Sequence, residues 1–231
     1  MKLSICIPNY NRKKNLNNCL NSILISKQNS NIIFEVCVSD NCSDDDIESI
    51  ISNYKKFLDI KFKKNKKNLG LGKNIVESVS MASGEFVWIL GNDDLILPET
   101  LKELDILFKN NKELDFFFIN SFNLNSGEIF KFPQPFNTKN LPNNMKKFSP
   151  VNYKGIVLFE ELIDPKISFD FLMGLYLSIF RRNKWNENIS IIDKDKLNDN
   201  RTYSTFENTC PHIIVFAKSF QKSQAFINPK P

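Results

Sequence analysis

Two adjacent carboxylates, Asp93 and Asp94, follow the apolar run Phe86-Val87-Trp88-Ile89-Leu90. Side by side they repel each other unless a cation sits between or beside them. A hard divalent ion, Mn²⁺ or Mg²⁺, held by one or two carboxylates keeps positions open for phosphate oxygens and water, which suits a nucleoside diphosphate. On local grounds alone, an exposed Asp-Asp turn ahead of a helix explains the pair equally well. Two other polar segments follow short apolar runs: Pro8-Asn9-Tyr10-Asn11-Arg12 and Ser39-Asp40-Asn41-Cys42-Ser43-Asp44. Asp40 would accept a hydrogen bond from a base N–H or a ribose hydroxyl, and Tyr10 would stack on the ring. Turn and cap chemistry is the plainer account of Asp40, and a surface aromatic that of Tyr10.

Asn68-Leu69-Gly70-Leu71-Gly72-Lys73-Asn74 opens a helix. Its glycines let backbone approach closely, and Lys73 offers a point charge to phosphate. It is no dinucleotide fingerprint, because Ile75 stands at the third glycine position. His212, the single histidine, begins an apolar helical pattern after Thr209-Cys210-Pro211, with Glu207 upstream. A base that activates a hydroxyl should titrate near neutrality, as histidine does unperturbed and a carboxylate does when desolvated. A histidine making a structural hydrogen bond in a first helical turn is the alternative.

These side chains need elements to hold them. From residue 3 to about 120, short β-branched or aromatic runs alternate with longer helical patterns, the mark of βαβ units and a mostly parallel sheet. Strands are expected near 3–7, 33–38, 59–63, 85–90 and 115–120. Helical spacing appears in Leu16, Leu20, Ile23 and Leu24, in Ile75, Val79 and Ala82, and in Leu101, Leu104 and Leu107 after Pro98. In open α/β sheets, ligands bind beyond the carboxyl ends of the strands, where these polar segments fall. Residues 133–150, with four prolines, read as a long surface loop separating a core of 1–132 from a region of 151–231. Beyond it, Ile156 to Ile163 and Ile213 to Phe220 look helical, and Leu175 to Phe180 strand-like.

The 231 residues, 42% hydrophobic and 25% charged, suffice for one large α/β domain and exclude a disordered chain. A net charge of +5 suits an anionic ligand or membrane surface but is too mild to argue for nucleic acid. The lysines at 61, 63, 64, 66 and 67 read as a solvated edge, with anionic-lipid contact the lesser alternative. Abundant Asn, Lys and Ile read as base-composition bias without functional weight. Five cysteines in no CxxC spacing fit a reducing cytoplasm, and no apolar run is long enough to span a membrane.

The ordered segments L-S-I-C-I-P-N-Y-N-R, V-S-D-N-C-S-D-D, N-L-G-L-G-K-N and S-G-E-F-V-W-I-L-G-N-D-D, over residues 3–97, resemble family-2 glycosyltransferases of the GT-A fold. The resemblance implies a Rossmann-like, open, twisted, mostly parallel sheet flanked by helices, with a smaller C-terminal acceptor-side region. It implies inverting transfer from a nucleotide-diphospho-sugar to a hydroxyl of a glycan or lipid-linked acceptor, with Mn²⁺ or Mg²⁺ as cofactor. Donor contacts would come from Pro8, Asn9, Tyr10, Arg12, Asp40, Gly70, Lys73, Asn92 and Asp93, and metal contacts from Asp93 and Asp94. The family's usual D-x-D-D reads Gly91-Asn92-Asp93-Asp94 here, so its first carboxylate is missing.

Ser178 to Trp185 and Cys210-Pro211-His212 resemble the bacterial abequosyltransferase-type branch, which builds O-antigens. That correspondence puts His212 at the base position, with Glu207, Asp193, Asp195 and Asp199 as rivals. Members of the branch continue for some tens of residues past the point matching Pro231, so the C-terminal region is expected to be shortened. The setting implied is synthesis of a bacterial surface polysaccharide at the inner face of the cytoplasmic membrane. A degenerate member that only binds nucleotide or glycan is the non-enzymatic alternative. A sugar nucleotidyltransferase fits less well, since the loop after the first strand has no glycine.

Overall fold

The computed structural model describes residues 2–163, 172, 174–199, 201 and 203–231. Its first half alternates as expected, with α2 added between the second and third strands: β1 (Leu3–Asn9), α1 (Lys13–Lys27), β2 (Phe34–Asp40), α2 (Ile47–Tyr54), β3 (Ile60–Lys64), α3 (Leu71–Ser80), β4 (Phe86–Ile89), α4 (Thr100–Asn110) and β5 (Phe116–Ile119). There follow β6 (Phe122–Asn123), a single turn α5 (Ser126–Ile129), β7 (Lys146–Lys147), β8 (Gly155–Leu158) and β9 (Ser178–Arg181). The chain closes with α6 (Arg182–Asn188), α7 (Lys194–Leu197), α8 (Phe206–Thr209), α9 (Pro211–Phe220) and β10 (Gln224–Asn228).

Eight strands form one sheet in the order β3-β2-β1-β4-β9-β5-β10-β8. The sheet is mostly parallel: β9 runs antiparallel between β4 and β5, and β8 antiparallel on β10. Strands buried on both faces have near-continuous apolar sequences, and β4 (Phe-Val-Trp-Ile) and β5 (Phe-Phe-Phe-Ile) are fully buried. Alternate residues feed two cores. Leu3, Ile5 and Ile7 of β1 join the side chains of α1, α2 and α4 on one face, while Cys6 joins Ile75, Val79, Trp185, Val215 and Phe216 on the other.

The second half departs from its helical and strand expectations at two places. Ile156 to Ile163 is not a helix: Gly155–Leu158 is the edge strand β8, and Phe159–Ile163 is a 3₁₀ segment. Its apolar residues imitate helical spacing because Phe159 and Leu162 are buried three apart, as a 3₁₀ turn also places them. The strand expected from Leu175 begins only at Ser178, after a 3₁₀ turn over Leu175–Leu177. The 133–150 connection runs over the surface but is tied to α1. Asn18 donates to Gln134 Oε1 at 2.7 Å and accepts from the Phe136 N–H at 2.7 Å, while Asn21 donates to the Phe136 carbonyl.

Edge strand β3 carries three of the clustered lysines, and each faces a carboxylate: Lys61 and Glu35 at 2.8 Å, Lys63 and Glu77 at 2.6 Å, Lys64 and Glu48 at 3.9 Å. Charged side chains on an exposed edge block pairing with other chains. These pairs make that part of the cluster a solvated, neutralised edge. Among the described residues, no helix is long and apolar enough to cross a membrane.

Candidate active site

The carboxyl ends of β1, β2 and β4 meet because their strands are neighbours in the sheet, with Asn9 paired in register with Asp40. Asn9 joins all three. Its Nδ2 donates to Asp40 Oδ1 at 2.9 Å, and its Oδ1 accepts from Asn92 Nδ2 at 2.7 Å. Asp40 also accepts from the Ser43 hydroxyl at 2.5 Å and the Ser43 N–H at 3.0 Å. It has no exposed surface. A buried carboxylate is tolerable only when hydrogen-bonded, and here its three bonds hold the loop after β2. Asp40 is thus enclosed and fully hydrogen-bonded to its neighbours, whereas Tyr10 is 42% exposed.

Asn11 adopts a left-handed backbone, φ 48°, which asparagine accepts more readily than most residues. Its N–H donates to Ser43 Oγ and its Oδ1 accepts from the Asp44 N–H, both at 2.8 Å, so the loops after β1 and β2 are fastened together. Pro8, the penultimate residue of β1, is opposite Ser39 of β2. Asn74 of α3 completes the floor, donating to the Asn9 and Ser39 carbonyls and accepting from Ser39 Oγ and Asn65 Nδ2. Asn41 donates to Asn68 Oδ1 and the Gly70 carbonyl. Thus asparagines set aside as compositional bias form much of the buried polar frame. That correction was partly accessible from sequence, since Asn and Ser just after strands are turn and network formers.

At the end of β4, Asp94 Oδ2 accepts from the Gly91 N–H at 2.9 Å. Burial and then the like charge of Asp93 push the Asp94 carboxyl up to about 7, against the lowering effect of that bond. A Cβ built on Gly91 would stand 2.7 Å from Asp94 Oδ2 and 3.0 Å from Asp93 Oδ1. The two carboxylates therefore converge on the space that a side chain at position 91 would fill. Asp93 presents its other oxygen, Oδ2, to the Arg12 guanidinium in an ion pair.

The second half of the chain borders the same end of α3. Gly70, at φ +83°, takes a conformation that favours glycine. Gly72 is needed for packing: a Cβ there would meet the Asn208 carbonyl oxygen at 2.6 Å, so the close approach it allows is to α8. Lys73 donates to Asn198 Oδ1 at 2.6 Å, and Glu207 pairs with Lys196 at 3.3 Å. His212 is only 1% exposed, with Nε2 on the Leu172 carbonyl at 2.9 Å and its ring edge-on to Phe216. Burial holds its imidazole down at about 4. It is neutral and enclosed, unlike an accessible base that titrates near neutrality. Of the rival carboxylates, Asp193 caps α7 and Asp199 is bound to Arg201, while Asp195 lies in the first turn of α7.

On the α4 side, the ends of β4, β5 and β10 open into a cavity of about 1150 Å³. Asp93, Asp94, Trp88, Phe122, Thr138 and Tyr176 are among its lining residues.

Residues 4–161 match the family model described as Glycosyl transferase family 2. The abequosyltransferase RfbV of Salmonella typhimurium is 36% identical over 116 residues, 49% of this chain and 34% of that protein. The poly(ribitol-phosphate) beta-N-acetylglucosaminyltransferase TarS of Staphylococcus aureus is 38% identical over 105 residues, 45% of this chain and 18% of its own length. The crystal structure of TarS residues 1–349 superposes with a TM-score of 0.71 at 22% identity, covering all of this chain and 59% of that one, and has also been solved with UDP and with UDP-GlcNAc. A mannosyltransferase from Pyrobaculum calidifontis, solved with GDP-Man and Mn²⁺, gives a TM-score of 0.56 at 12% identity, over all of this chain and 57% of that one. The chain thus spans about a third of the length of the abequosyltransferase it matches.

Proposed function

The chain belongs to glycosyl transferase family 2, and from that premise we propose that it transfers a sugar from a nucleotide-diphospho-sugar to an acceptor hydroxyl with inversion, in the assembly of a bacterial surface polysaccharide. The observation that carries this reading is the Asn92–Asn9–Asp40 relay, which fixes three strand ends around a converging carboxylate pair. TarS, of the same fold, was solved with UDP-GlcNAc, which supports a donor of that class.

Asp93 and Asp94 fit a divalent cation, because their oxygens converge and the charge of Asp93 raises its neighbour's carboxyl. With only two carboxylates, the pair would share the ion with the donor's phosphates. Such an ion, when bound, supplies charge neutralisation to the departing diphosphate. Tyr10 is exposed where it can stack on a base, and Asp40 holds the Ser43 loop beneath it. Lys73, at the start of α3, would exchange Asn198 for a phosphate oxygen. The acceptor oxygen bonds to the anomeric carbon as the carbon–phosphate oxygen bond breaks, and the proton leaves the acceptor to a base. Glu207 suits that role better than His212, whose ring is enclosed in the second core. The cavity beside Asp93 and Asp94 is the room available to a glycan or lipid-linked acceptor.

The test is release of nucleoside diphosphate from UDP-, GDP-, CDP- and dTDP-sugars in Mn²⁺, with water as a slow acceptor. Wild type should release one of them, and Glu207→Gln should cut that rate by roughly 10²-fold while nucleotide binding persists. Binding without release by wild type would favour a nucleotide-binding module. Equal rates in the variant would remove Glu207 from the mechanism.

A further inference from the structure

We infer that Arg12 is a built-in counter-ion of the carboxylate pair, displaced jointly by a nucleoside diphosphate and its divalent cation, so that the cation alone binds poorly. This rests on the donor-site reading above. Asp93 divides its oxygens: Oδ1 faces the space at Gly91 shared with Asp94, and Oδ2 is held by Arg12 Nη1. A cation approaching the pair therefore meets a positive charge on one of its two ligands. The side chains of Arg12 and Asp93 are 53% and 44% exposed, and ion pairs so exposed are weakly held.

The backbone beside Arg12 is fixed by its neighbours, while its guanidinium is held through the exposed ion pair with Asp93. Asn11 is fastened to Ser43 and Asp44. The Arg12 guanidinium is thus a long arm on a rigid loop, one residue from Asn11 and two from Tyr10. A planar guanidinium binds phosphate oxygens through paired N–H donors. A diphosphate arriving above the loop gives Arg12 a better partner than Asp93, and the freed Oδ2 becomes available to the cation. Nucleotide and cation then strengthen each other's binding, and the coupling must be reciprocal.

Mn²⁺ binding is measured by electron paramagnetic resonance of the free ion for wild type, Arg12→Ala and Arg12→Lys. Each protein is titrated alone and with UDP, GDP, CDP or dTDP. Arg12→Ala should bind Mn²⁺ alone about three- to tenfold more tightly than wild type, and Arg12→Lys should stay near wild type. In Arg12→Ala the factor by which nucleotide tightens Mn²⁺ should shrink. An alanine variant that binds Mn²⁺ alone no more tightly, or keeps the full coupling, overturns the role of Arg12. If wild type binds the nucleotide–Mn²⁺ pair in that case, the donor site stands. If no protein binds Mn²⁺ with any nucleotide, the donor-site reading falls too.

Discussion

Gly91 stands where the family pattern expects a carboxylate, and the geometry gives its absence a physical reason. Asp94 Oδ2 and Asp93 Oδ1 already occupy the space beside its Cα. Gly91→Ala should push Asp94 off the Gly91 N–H, costing about 1 kcal/mol of stability, and weaken Mn²⁺-dependent nucleotide binding. Gly91→Asp, which restores the family's usual residue, should bind no better than Gly91→Ala. Urea midpoints and titration calorimetry on both variants check this, and a gain of binding in Gly91→Asp would contradict it. At this scale the acidic pair after β4 and the polar segment with Tyr10 after β1 are legible as local signals, and their strands are neighbours in the sheet. The enclosure of Asp40 is not legible, since it depends on Ser43 folding back on it and on Asn9 arriving from another strand.

Among the elements, the contact between α3 and α8 links the first half of the chain to the Glu207 segment. It exists because Gly72 lets the two backbones touch. Gly72→Ala should be overpacked against Asn208 and lose about 1–3 kcal/mol. A chemical denaturation curve unchanged from wild type would refute that account of the glycine. The first five strands and three of the helices among them, α1, α3 and α4, are legible from alternation and helical spacing, within a few residues at each end, whereas the eight-residue α2 is not. The later elements are less legible, since β8, β9 and β10 are short and defined by their partners in the sheet. Ile156 and Leu158 remain exposed on the edge strand, so nothing in their own pattern separates a strand from a turn of helix.

For the whole molecule, the enclosed groups Glu35, His212 and Asp94 shape the response to acid. Asp94, raised to about 7, takes up its proton in the fold first, so its contribution grows as pH falls from 7 toward 3.8 and opposes that of His212. Glu35 accepts from Ser4, from Ser83 N–H and Oγ, and from Lys61. Despite burial, these bonds hold its carboxyl down to about 2, led by Lys61. Its folded value lies below its unfolded one, so its contribution is full above about 4.5 and is lost as pH falls toward 2. His212, depressed to about 4 by burial, is neutral in the fold. Below about 6.5 the unfolded chain takes up a proton that the fold does not, so the contribution of His212 falls from 6.5 to 4, by at most about 3 kcal/mol. Relative to wild type, His212→Phe should become steadily more stable as pH falls from 6.5 to 4, with the loss that Glu35 brings below 4.5 left in place. Urea midpoints at several pH values decide it, and an unaltered slope in the variant would count against an enclosed neutral imidazole.

The central claim, that the joined ends of β1, β2 and β4 form a metal-assisted site for a nucleoside diphosphate, is tested most directly by thermal unfolding. The chain would be heated with UDP, GDP, CDP and dTDP, each with and without Mn²⁺, alongside Asp93→Ala/Asp94→Ala. At a hundredfold excess over Kd, one nucleotide with Mn²⁺ should raise the midpoint by roughly 5–10 °C. The double variant should fold but lose that shift. A folded wild-type chain that no nucleotide stabilises, or a shift that survives in the double variant, would contradict the account.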